Sequence, residues 1–432
     1  MSASLDFRGT LRWLFATPLR SQDDVMSKTR LLLLDTIACV VAGLREAEPA
    51  ALAGFRSMTA PGGAAWPGSA AMAPADAAFV GGVAACWHEA CEGLARAHGR
   101  PGLHAVPVAY ALGRARGAAL GEILEAIVWG YEIGGRAGEA IRIRAGLHVD
   151  GTWGTFAAVA AAAKMIGLDE VRSLEALAMA ACQLPTSLYE PVAKGRTARN
   201  TYAGHAVLLA IPIVEAAAAG ITAPESAFAL AAQSLAGDAI RTSWPWAPPG
   251  EFLILQGYLK PFAAVRHVHY AASCAIARHR THADTRDIRG ITLRTYGEAL
   301  TYCGNRRPKT PIQAQFSLTH GAAYALREGS LGPEAYAADV FADAEQSRLE
   351  SLIDLVVDPA MTGRGASLKV ETAHGTEDYS VTSVVGDPDK PLDVDAVRAK
   401  AIAYMTPTVG PAVAASIAKA ILTGALDAPL PN

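Results

Sequence analysis

Residues 282–296 read HADTRDIRGITLRTY, and the character of the chain changes inside them. Up to about residue 285 the apolar positions recur at helical spacing. From Ile288 to Tyr296 they alternate with polar ones, which is the period of a half-buried strand. The switch divides the chain into a longer helical part and a shorter mixed part.

Upstream, KTRLLLLDTIACVVAGL (28–44), GEILEAIVWGYEIGGRAGEAIRI (121–143) and WGTFAAVAAAAKMIGL (153–168) are rich in Ala and Leu, poor in β-branched runs, and separated by Gly or Pro. Small residues let helices approach closely, so this part reads as a compact bundle. Downstream, PIQAQFSLTHGAAYALREG (311–329) reads as one helix, while LESLIDLVVD (349–358) and ASLKVETAHGTEDYSVTSVV (366–385) read as strands, the latter with a His-Gly turn. Strands and helices in blocks imply an α+β unit. DVDAVRAKAIAYM (393–405) and GPAVAASIAKAILTGAL (410–426) turn helical again.

The 432 residues are too many for one ordinary core, so two domains are expected, and a 51% hydrophobic content suffices for a large interior. With 18% charged residues and a net charge of -3, the chain carries no electrostatic footprint for nucleic acid or an acidic membrane. The start, MSASLDFRGTLRWLFATP, lacks the basic opening and apolar run of a signal peptide, so a cytoplasmic enzyme is expected. HAVLLAIPIVEAAAAGITAP (205–224) contains Pro212 and Glu215 and suits a helix buried in protein better than one in lipid. Cysteines at 39, 86, 91, 182, 274 and 303 form no C-x-x-C pair, which argues against a zinc or redox motif.

Four clusters hold the polar groups that could carry chemistry. In residues 78–112, His88, Glu89, Glu92, His98, Arg100 and His104 precede a helix expected to open near Pro107. In GLHVDGTWGTF (146–156), His148 and Asp150 stand before a Gly-rich turn into an apolar helix, whose first N–H groups could hold a carboxylate. AKGRTARNTYAGHA (193–206) carries Lys194, Arg196, Arg199, Tyr202 and His205. YLKPFAAVRHVHY (258–270) carries Lys260, Arg266, His267 and His269, with Arg266 and His269 on one face if the segment is helical. His267 and His269 on a strand would suit two metal ligands, but no third ligand of matching spacing accompanies them, so no metal is expected. Taken alone, these clusters imply a helical enzyme with an anion pocket.

The clusters, in this order, resemble the MmgE/PrpD family, which includes 2-methylcitrate dehydratase, cis-aconitate decarboxylase and iminodisuccinate epimerase. LLLLDTIACVVAGL is similar to L-L-D-T-x-x-x-x-x-A-G, AAFVGGVAA to A-F-V-N-G-x-A-A, and RPGLHAVPVAYAL to H-P-G-x-H-V-x-P-A-x-L-A-L. GLHVDGTWG resembles G-x-H-P-T-x-T-x-G, and YAGHAVLLAIPIVEAAAAGITAP resembles a segment ending G-F-T-G-P. LKPFAAVRHVH is close to K-P-Y-P-x-C-R-x-x-H, and TYGEALTYCGNRRPKTPIQAQFSLTHGAAYAL matches the later segment with A-x-F-S.

The resemblance implies a mainly α protein with a large helical domain, residues 1–259, completed by C-terminal helices from about 408 to 432, and a smaller α+β lid domain, residues 260–407. It implies a homodimer, a site between the two domains, no metal or organic cofactor, and a small anionic substrate of the polycarboxylate class. Arg100, Arg199, Lys260 and Arg266 are then the substrate-binding cations, with Tyr202 and Ser317 in matching segments. His148 is the candidate general base or acid, His269 or His98 the second proton carrier, and Glu89 the group that orients one of them. Three features depart from the pattern: EACE replaces D-F-D-D, and Arg100 and Arg199 stand where the family has His and Lys. Arginine binds carboxylates through a planar fork but is a poor proton shuttle, so anion binding is retained while proton donors are removed. A lyase, either dehydratase or decarboxylase, is the leading expectation. An isomerase or epimerase, a member with a substrate unlike citrate, and an inactive dimeric binding protein are the alternatives.

Overall fold

A computed structural model describes residues 7–237 and 247–431. At its centre runs α1, Asp23–Gly43. Asp23 and Asp24 in its first turn complement the helix dipole, and from Leu32 onward the helix is buried on every side. Around it lie α2 (Pro74–Cys86), α3 (Pro101–Arg116), α4 (Leu120–Ala140), α5 (Gly154–Ile166), α6 (Glu170–Cys182) and α7 (Thr201–Ala218). Helix α5 packs against α4 and α3, and α7 packs against α2 and α5.

The small residues do what the sequence implied. A Cβ on Gly82 of α2 would stand 2.9 Å from the Cα of Gly204 of α7, and one on Gly43 would stand 2.1 Å from the Ala84 carbonyl oxygen, so these backbones nearly touch. The apolar window ending in α7, Thr197–Ala218, is long and apolar enough to cross a membrane, but half of it is buried in the protein against α2, α5 and α6. Helix α3 starts at Pro101, not near Pro107 as expected. Proline suits the first helical position, where its missing N–H costs nothing, and Pro107 is accommodated inside the helix.

The mixed part is built on a four-stranded sheet of order β2-β1-β3-β4. Strand β1 (Ile288–Thr295) pairs parallel with β2 (Ile353–Val357) and antiparallel with β3 (Ala366–Thr372), which pairs antiparallel with β4 (Gly375–Val381). Helix α8, Arg266–Thr281, covers β3 and β4, and α9, Leu318–Glu328, packs on α8. The helix expected over 311–329 is broken, because Ser317 takes the N-cap position and its Oγ accepts from the His320 N–H at 3.2 Å. The first half of 349–358 ends a helix, Ala344–Leu352, and only the second half is strand.

Helices α10 (Val394–Val409) and α11 (Pro411–Thr423) both pack on α1. By packing, the chain therefore returns to the helical layer at 394, earlier than the expected 408. Asp393 caps α10 by accepting from the Ala396 N–H at 2.7 Å.

Candidate active site

Three irregular segments of the helical part meet the start of the mixed part. The loop after α2 is tied by backbone bonds between Gly93 and Tyr258, at 3.0 and 2.8 Å, to the segment that carries Lys260. The segment after α4 is held where the His148 N–H donates to the Ser187 carbonyl at 2.7 Å. Arg199 lies on the short turn Thr197–Asn200 before α7. Together they enclose a cavity of about 570 Å³. The helical part contributes Glu89, His98, Arg100, His148, Asp150 and Arg199 to its wall, and the mixed part contributes Lys260, Arg266, His267 and Arg364.

Five of these charges form one buried network. Arg100 pairs with Asp150 and, at 3.0 Å, with Glu89; Arg199 pairs with Glu89; Lys260 Nζ donates to Glu89 Oε2 at 3.2 Å and to the Glu89 carbonyl at 2.8 Å. Three cations and two carboxylates leave a net charge of +1. Burial alone would raise the pKa of Glu89, but Arg100, Arg199 and Lys260 overcome it and hold the carboxyl below its usual range. Asp150 is likewise held low, chiefly by Arg100 against the cost of burial. Burial, reinforced by Arg100, lowers the pKa of Lys260 despite Glu89. Arg100 and Arg199 are thus already paired with protein carboxylates, whereas the resemblance had assigned them to the substrate.

His148 stands beside the network. Its Nδ1 accepts the backbone N–H of Asp150 at 3.0 Å, so in the neutral ring the proton sits on Nε2. Burial, with Arg199 and Arg100, pushes its pKa down to about 4 against the pull of Asp150. At neutral pH the ring is a hydrogen-bond donor and not a base. Glu89 and His98 have φ of +54° and +51°, the two non-glycine positive values among the described residues, and both line the cavity. A left-handed backbone at such residues costs energy and concentrates at functional sites.

The remaining expected residues fall elsewhere. His269 is fully buried behind Arg266: its Nδ1 lies 3.1 Å from Arg266 Nη1 and its Nε2 donates to the Ala264 carbonyl at 3.1 Å. Neither nitrogen is left for a substrate, so His269 positions Arg266 and cannot be the second proton carrier. Arg266 itself pairs with Asp387 and lies 4.5 Å from the centre of the Tyr258 ring. Tyr202 donates to the Leu188 carbonyl at 2.9 Å and packs its ring near His148 without lining the cavity. Ser317 is fully buried as the cap of α9 and donates to the Asn305 carbonyl at 2.6 Å, which makes it structural.

Of the other residues in these clusters, His104 is held between the Arg100 carbonyl and the Gly151 N–H, and its ring covers the start of α5. Glu92 is buried, accepting from the N–H groups of Gly102 and Leu103 and from the Tyr131 hydroxyl. Because α8 is a helix, His267 and His269 diverge, His267 meeting Tyr296 and His269 meeting Ala264. No group of three or more His, Cys, Asp or Glu side chains that could hold a metal occurs among the described residues.

Sequence reasoning named Asp150 without giving it a role and missed two further contributors, Arg364 and Lys400. Asp150 stands where the resembling pattern has Thr, and that departure was a readable signal that Arg100 had acquired a partner. Arg364 lies in a strand-to-strand loop and carries no local signal. Lys400 of α10 donates to Asp35 at 2.6 Å and to the carbonyls of Ala90 and Lys260, each at 2.8 Å, so it fixes the backbone next to Glu89 and at Lys260.

No curated protein matches the chain. The MmgE/PrpD N-terminal domain family matches residues 12–238 and the MmgE/PrpD C-terminal domain family matches residues 262–423. With both halves matched and the cavity lying where they meet, the chain belongs to the MmgE/PrpD family of dehydratase-type and related enzymes.

Proposed function

We propose that the chain is a lyase, independent of metal and organic cofactor, that breaks a bond beside a carboxylate of a small polycarboxylate by loss of water or carbon dioxide. The observation that supports this reading is the buried five-charge network, net +1, sharing its cavity with His148. A preorganised, water-poor site of that sign stabilises negative charge growing on carbon and spreading onto carboxylate oxygens.

The two losses ask different things of the residues. In decarboxylation the carbon–carbon bond breaks, its electron pair stays on the substrate carbon, carbon dioxide leaves, and a proton is returned, so no base is needed. The Nε2–H of His148 is a fixed hydrogen-bond donor that lines the same cavity. Dehydration needs a base for the departing proton; Lys260 could serve only after giving up its own proton, which burial favours and Glu89 opposes, and which would take the network from +1 to zero.

An isomerase is the second reading. It needs a proton carrier on each face of the substrate; His267 and His148 line the cavity from the two parts, and His148 would have to release Nδ1 from the Asp150 N–H to accept a proton. The backbone strain at Glu89 and His98 counts against an inactive binding protein, since nothing in a scaffold calls for it. The resemblance supports a homodimer.

Incubation with di- and tricarboxylates in deuterated water, followed by proton NMR, tests the proposal. A lyase gives a new alkene or a decarboxylated product; an isomerase exchanges the α-hydrogen with no loss of mass. Absence of turnover or thermal stabilisation with every acid overturns the reading.

A further inference from the structure

Arg364 differs from the other cations facing the cavity. It sits in the loop between β2 and β3, and that loop is built: the Thr295 hydroxyl donates to the Gly365 carbonyl at 2.7 Å, and the Ala360 N–H donates to Asp358 Oδ1 at 3.0 Å. The side chain is half-buried and shares the cavity wall with Tyr258 and His267. It makes no hydrogen bond and no ion pair with the described residues. Glu298 lines the same cavity but forms no ion pair with it. The other cations are engaged: Arg100, Arg199 and Lys260 with Glu89 and Asp150, and Arg266 with Asp387. Arg142 has partners of its own, and Arg144 lies at the exposed rim.

An arginine does not discharge at any physiological pH, and Glu298, the carboxylate that acts on Arg364 across the cavity, leaves its N–H groups unbonded and open to a ligand. The planar fork fits a carboxylate through two parallel bonds. We propose that Arg364 receives one carboxylate of the substrate while the Glu89 network faces the carboxylate at which charge develops. This rests on the lyase or isomerase reading above and adds to it the residue that selects for the second carboxylate.

The test compares wild type, Arg364→Gln and Arg364→Lys by calorimetry and thermal shift. The probes are succinate, glutarate and citrate, with succinamate and glutaramate as analogues in which one carboxylate is an amide. For the diacid that binds wild type best, Arg364→Gln weakens binding by about 10- to 100-fold, the scale of a charge-assisted bidentate contact. Arg364→Lys recovers part of that loss, because it keeps the charge and loses the fork. The matching monoamide binds wild type and Arg364→Gln within about twofold of each other, and the unliganded melting temperatures agree, since no bonded partner is orphaned. Wild-type binding of a diacid that is unchanged in Arg364→Gln overturns the role of Arg364 and leaves the functional reading standing. A wild type that binds none of the acids overturns both. If Arg364→Gln melts early without ligand, Arg364→Lys carries the test, and equal diacid affinity in that variant overturns the proposal.

Discussion

Arg100→His and Asp150→Thr, made singly and together, probe whether the buried network is held by its own charge balance. Wild type carries three cations and two carboxylates, net +1. Arg100→His with a neutral imidazole brings the sum to zero and leaves Asp150 with Arg199 at 3.6 Å as its nearest remaining guanidinium. Asp150→Thr brings the sum to +2 and leaves Arg100 with Glu89 alone among carboxylates. Removing one partner of a buried pair costs about 3–5 kcal/mol, because the other charge stays in a low-dielectric site. The double variant returns to +1 with neither charge stranded. Each single variant should therefore lose about 3 kcal/mol in urea unfolding followed by tryptophan fluorescence at pH 7.5. The double variant should lose no more than either single one, a coupling of at least about 3 kcal/mol. Losses that add to within about 0.5 kcal/mol would refute the reasoning, since independent sites behave that way.

Burial raises the pKa of Glu92 to about 7 from the ordinary 4.5 of a glutamate, so its stabilising share is complete below pH 4.5 and is lost as pH rises through 7, about 3 kcal/mol in all. Glu92→Gln, which can still accept from Gly102 and Leu103 and donate to Tyr131, should match wild type near pH 5 and exceed it by roughly 2–3 kcal/mol at pH 8.5; an equal loss at both pH values by chemical denaturation counts against this. Ser317→Ala should cost about 1 kcal/mol as a lost helix cap and leave turnover per folded enzyme unchanged, and a rise in KM for the substrate would restore it to the binding site. His148→Asn keeps an acceptor for the Asp150 N–H and removes the Nε2 donor, so kcat should fall by about 10²-fold or more with the melting temperature nearly preserved. Full activity in that variant would remove His148 from the chemistry.

Much of the architecture could be read from period and punctuation. The strand at Ile288–Thr295 follows from alternation, whereas the segment from Arg266, which the sequence left open between helix and strand, is a helix. The break at Ser317 was hidden because apolar residues on both sides of it keep helical spacing, and only the hydroxyl's bonds reveal the cap. The docking of α10 on α1 was hidden for another reason: an amphipathic face declares that it will be buried and is silent about its partner.

At the site, Glu89, Arg100, His148, Arg199 and Lys260 were all named from local clusters, and they line one cavity. What one chain of letters does not carry is which charge meets which. Arg199 reaches Glu89 across 110 positions and Lys260 reaches it across 171, so a basic cluster in sequence cannot be told from a satisfied one until the fold closes. His269 shows the converse, since a histidine at the right helical offset from Arg266 turns inward to support it.

The bonds of Lys400 to Asp35, Ala90 and Lys260 have a consequence for biogenesis. A nascent polypeptide that has emerged through the sheet already contains every other residue of the charged network, yet α1 still lacks its cover and two carbonyls lack their donor. The cleft is therefore among the last things the ribosome completes. A message truncated before codon 394 would release a chain with a bare apolar stripe, which is a substrate for chaperones and proteases and not a slower enzyme.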